Sequence, residues 1–128
     1  MQDTPTIDRD AVRALGREAL ERLAQAAGDR SMCAISRDGR PHVAAKYHEG
    51  AVSALAEVRR GLPAGAAADS TAELVRAALD RWTAQAERNP DAPAWVAYAA
   101  GGRDALARLL QPRPPAPVPA ASPAARTA

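Results

Sequence analysis

The sequence predicts a mainly α chain with one short strand per chain, a strand built to pair with its copy in a second chain. Three observations predict it. Residues 43–47 alternate with period two, Val43, Ala45 and Tyr47 on one side and Ala44 and Lys46 on the other. Directly afterwards the period changes: Ala51, Val52, Leu55, Ala56 and Val58 fall on one helical face, and after a loop Leu74, Val75, Ala78, Leu79 and Trp82 do so again. Finally, one strand cannot bury its apolar face alone. Two chains together would give a two-stranded ribbon over a core of four helices.

Each element has its own signals. Over residues 8–27, Val12, Leu15, Ala19, Leu20, Leu23 and Ala27 form a single apolar stripe. Asp8 and Asp10 suit the positive end of the helix dipole, and Gly28 is a natural stop. Residues 32–36 are a short apolar run of ambiguous type. A turn signal follows at Asp38-Gly39, and Pro41 disfavours helix at Arg40. These residues can pair as a hairpin, 32–36 folding back on 42–47. The second core helix opens at Ser70-Thr71-Ala72-Glu73, a capping box. A third helical region starts near Asp91, an expected N-cap, with Pro93 an acceptable early helical residue. Its apolar set is Trp95, Val96, Ala99, Leu106, Leu109 and Leu110, and Gly101-Gly102 is expected to break or bend it. The expected organisation is therefore an N-terminal helical extension and turn (1–40), a strand–helix–helix core (41–88), a C-terminal helical segment (89–111) and a Pro/Ala-rich tail (112–128). The tail holds six of the eleven prolines and is expected to be disordered.

Composition narrows the function. The net charge is only +2 over 128 residues, so no global field drives nucleic-acid binding. A local excess sits around the strand, where residues 37–60 carry five bases against three acids. A single cysteine, Cys33, rules out an internal disulfide, and two histidines without CxxC or HxxxH spacing give no reason to expect a metal or other cofactor. No apolar run reaches about 18 residues and no basic-plus-apolar leader is present, so a soluble, cytoplasmic protein is expected. No nucleophile, base and orienting group share a motif, so the chain is not expected to be an enzyme.

The segments VAAKYHEGAVSALAEV and STAELVRAALDRW resemble the ribbon-helix-helix family of small dimeric DNA-binding proteins, of the Arc, MetJ and CopG type. The resemblance covers roughly a third of the chain. It departs from the family in a longer loop over residues 61–69 and in Asp69, where an apolar residue is usual. What it implies is a ribbon-helix-helix homodimer, with added N- and C-terminal helices, that reads the major groove of double-stranded DNA as a repressor, antitoxin or plasmid regulator. His42, Ala44 and Lys46 would then face base edges. Ser70 and Thr71 at the start of the second helix, with Arg37 and Arg40 before the strand, would hold phosphates. Val43, Ala45, Tyr47, Leu55, Leu74, Leu79 and Trp82 would form the dimer core. The added helices would offer surfaces to a protein partner, a toxin among them.

Two other readings bear on the same residues. CAISRDGRPHVAA is similar to the opening hairpin of flavin-binding split-barrel proteins, but nothing after Tyr47 alternates with period two. In the other reading the helical segments 8–27, 51–60, 71–88 and 91–110 pack as an all-α interaction module. Residues 41–47 are then a mere connection and the chain does not bind DNA.

Overall fold

The computed structural model describes residues 7–28 and 42–111. They form four helices: α1 (Arg9–Ala27), α2 (Val43–Gly61), α3 (Ala68–Ala86) and α4 (Pro93–Leu110). The expected hairpin segment 32–36, Arg37, Arg40 and the tail lie outside the described residues.

The expected strand and its ribbon are not there. Residues 43–47 are the first turn of α2, closed by the bond from Lys46 N to His42 O at 3.0 Å. This overturns the ribbon-helix-helix core. The physical reason is that five residues are too few to separate period two from period 3.6. Ala44, Ala45 and Lys46 are good helix formers, and Ala45 joins the buried face that continues through Ala51, Ala54, Leu55 and Val58. Pro41 restricts only the residue before it, so it ends nothing downstream.

The helix ends follow local chemistry. Asp8 caps α1, its side chain accepting from Ala11 N at 2.7 Å. Gly28 follows with φ 64°, the left-handed conformation that favours glycine. Pro93 is the first residue of α4. The capping box is not used. The N-cap of α3 is Ala67, which places Ser70 inside the first turn, and the Thr71 hydroxyl donates back to Ala67 O at 3.1 Å.

Helix α2 is the hub. It packs most extensively on α4 and also on α1, while α3 lies mainly against α4. The core is Val12 of α1, Leu55 and Val58 of α2, Val75, Ala78 and Trp82 of α3, and Leu106 and Leu109 of α4, with Ile7 and Leu62 at the ends. Helices α2 and α4 run antiparallel and meet backbone to backbone through glycine. Gly50 lies on the Tyr98 carbonyl and Gly101 on the Tyr47 carbonyl. Gly102 lies under the Trp82 ring. The glycine pair expected to break the C-terminal helix is thus inside a continuous α4, where it lets two neighbours approach. Among the described residues, no helix is long and apolar enough to cross a membrane.

Candidate interaction surface

Polar side chains tie the helices together at their rims. Tyr47 Oη donates to Asp104 Oδ2 at 2.6 Å, joining α2 to α4. Glu18 accepts from Arg22 at 2.8 Å and from Arg108 at 3.1 Å, joining α1 to α4. Glu57 accepts from the Trp82 indole at 2.8 Å and pairs with Arg81, joining α2 to α3. Arg9 donates to the Leu62 carbonyl at 3.0 Å, holding the start of α1 to the end of α2.

These contacts set the protonation of their members. The hydrogen bond from Arg108 holds the Glu18 carboxyl below the ordinary 4.5, with Arg22 adding to it. Burial pushes Glu57 up, but the Trp82 and Arg81 donors together outweigh it and hold Glu57 below 4.5 as well. Donation to Asp104 raises Tyr47 above 10.0, the reverse of an activated phenolate. A carboxyl lowered by folding contributes stability that is present above its unfolded value and lost as pH falls through its folded one. A phenol raised by folding contributes below its unfolded value and loses it as pH rises through the folded one. The melting temperature should therefore fall below pH 4.5 and again above pH 10.0. Glu18→Gln with Glu57→Gln should flatten the acid limb, and Tyr47→Phe the alkaline one. An acid limb unchanged in the double variant would contradict these assignments.

The residues expected at a DNA interface do not converge. His42 is the N-cap residue of α2, Ala44 lies exposed in its first turn, and Lys46 turns to Glu49 Oε2 at 3.0 Å. Ser70 is exposed on α3, Thr71 is buried, and Asp69 puts a negative charge in the same first turn, opposing a phosphate there. Of the expected dimer core, Ala45, Leu55 and Trp82 are buried and Tyr47, Leu74 and Leu79 half-buried within one chain, whereas Val43 is 46% exposed.

The surface carries several hollows, two of them of interest for binding. One, of about 500 Å³, lies beside the stacked Trp95 and Tyr98 rings and is bordered by Lys46, Glu49 and Gln85. The Trp95 indole nitrogen and one Glu49 oxygen are closed off from solvent there, so the hollow presents chiefly an aromatic wall. The other, of about 330 Å³, is a groove between α1 and α2. Its floor is Val12, Val52, Leu55 and Ala56, and its α1 wall is Arg13, Gly16, Arg17 and Leu20. Arg59 closes the α2 side.

The wall is the informative part. Arg13, Gly16, Arg17 and Leu20 stand at i, i+3, i+4 and i+7, the diamond that receives a knob from a facing helix. Among the described residues, a Cβ on Gly16 would meet nothing within 4 Å, so none of them fills that diamond. Leu20, expected in the buried stripe, is 53% exposed. Reading α1 as a single apolar stripe missed this second face, although its spacing was visible in the sequence.

The described residues define an all-helical fold with an open, arginine-rimmed groove. No protein-family model, curated protein or solved structure matches the chain.

Proposed function

We propose that the chain is a non-enzymatic protein-interaction module that receives a helix of a partner protein in the groove between α1 and α2. The observation that carries this reading is Gly16. Glycine within a helix costs about 1 kcal/mol relative to alanine. Gly50, Gly101 and Gly102 each have a neighbour that requires the missing side chain, and among the described residues Gly16 has none. A helix approaching from outside supplies the missing reason. Readout of DNA by a β-ribbon is not carried forward, because residues 43–47 are helical.

The first check is on the free protein. Gly16→Ala should stabilise it by about 0.5–1 kcal/mol, raising the melting temperature by roughly 2–8 °C. A fall would mean that α1 needs this glycine for its own packing and would remove the argument. The second check is a selection of displayed helical peptides against the full chain, with counter-screening on Gly16→Leu, which fills the diamond. Peptides that bind the wild type and not the variant support the reading. Binders indifferent to the variant, or none at all, would sink it.

A further inference from the structure

Resting on that reading, we infer that the partner helix is acidic and amphipathic: an apolar side chain enters the Arg13–Gly16–Arg17–Leu20 diamond, flanked by carboxylates that meet Arg13, Arg17 and Arg59.

The charge of the groove argues for it. Its lining contains three arginines and no acid. All three are exposed, and among the described residues none lies within ion-pair distance of a carboxylate. Elsewhere, Arg22, Arg81, Arg103 and Arg108 do have such partners, while Arg60, Arg76 and Arg88 do not, so what sets the groove apart is three such arginines converging on one apolar floor. Arg13 and Arg17 stand one turn apart, about 6 Å along the axis, so acids at i and i+4 of a helix lying along α1 would recur at the same interval. A guanidinium fork holds a carboxylate through two parallel hydrogen bonds. The apolar floor and the exposed Leu20 suit the other face of the same helix. Phosphate would satisfy the arginines but leave that floor unused. The chain's own residues 112–128 carry two arginines and no acid, so their charge repels rather than complements the groove.

The test uses three synthetic helical peptides with one shared leucine face and polar faces of Glu, Gln or Lys. Each is titrated against the full chain by fluorescence anisotropy at low and moderate salt. The expected result is that the Glu peptide binds about tenfold tighter than the Gln peptide, an advantage that shrinks with salt and disappears in Arg13→Glu with Arg17→Glu. Gly16→Leu should abolish binding of both peptides while circular dichroism shows an unchanged fold. Equal binding of Glu and Gln peptides would overturn the acidic partner, and its loss in Gly16→Leu would leave the groove reading standing. Binding indifferent to Gly16→Leu would overturn both. Failure of the Glu peptide to bind overturns the inference, as does its displacement by a random-sequence DNA duplex whose own binding needs Arg13 and Arg17. Light scattering showing self-association that Gly16→Leu abolishes would assign the groove to a second copy and overturn it too.

Discussion

A methyl group at Gly101 or Gly50 is expected to destabilise the protein by about 3 kcal/mol or more, although the same change at Gly16 stabilises it. Helix propensity favours alanine over glycine by about 1 kcal/mol at every interior position, so propensity and packing here have opposite signs. At Gly101 the added carbon would run into the Tyr47 carbonyl, and at Gly50 into the Tyr98 carbonyl. Both obstacles are backbone atoms within helices, so no side-chain rotation relieves them. The axes of α2 and α4 must separate, and every buried contact between them loosens. Overpacking costs about 1–3 kcal/mol where side chains can adjust and more where they cannot. Urea unfolding should show the loss as a lower midpoint at constant slope. The two substitutions strain one interface, so the pair should cost less than the sum of the singles. A change within about 0.5 kcal/mol for either variant would show that the helices do not meet at these glycines.

That contact also shows what the sequence could and could not disclose. Elements whose signals are local were legible. The cap at Asp8, the stop at Gly28 and the early proline of α4 stand at or within a residue of where short-range chemistry puts them. Of the apolar sets ending in Val58 and Trp82, Ala51, Leu55, Val58, Val75, Ala78 and Trp82 are buried, and Val52, Ala56, Leu74 and Leu79 are half-buried. The helix at residues 43–47 was hidden because both periods fit five residues, and the deciding fact is tertiary: Ala45 and Tyr47 pack in the same chain rather than across a dimer ribbon. Gly101-Gly102 misled for a related reason. Glycine breaks a helix when nothing repays its lost propensity, and here the approach of α2 and Trp82 repays it. The groove was half-legible. The spacing of Arg13, Gly16, Arg17 and Leu20 is in the sequence, but that α2 leaves their diamond open is a property of packing.

Trp82→Ala is expected to cost about 3–5 kcal/mol, the largest loss from any single side chain, and to lower the melting temperature by roughly 10–30 °C. The ring is only 6% exposed. It lies over Gly102, stands tilted against Tyr98 with centroids 5.3 Å apart, and donates its indole N–H to Glu57. Those contacts come from α2 and α4 of the same chain, so the loss should be independent of protein concentration. A melting temperature that falls further on dilution in the variant than in the wild type would place Trp82 at an interface instead. Two companions divide the effect. Trp82→Phe keeps a ring over Gly102 and gives up mainly the hydrogen bond to Glu57, worth about 1–3 kcal/mol because the acceptor is charged. Gly102→Ala drives a methyl group into the ring and should destabilise the wild type, yet in Trp82→Ala the same methyl enters the vacated space. The penalty of Gly102→Ala should therefore shrink or reverse in that background, a coupling that a double-mutant cycle reads directly. Additive effects would mean that the ring does not rest on Gly102.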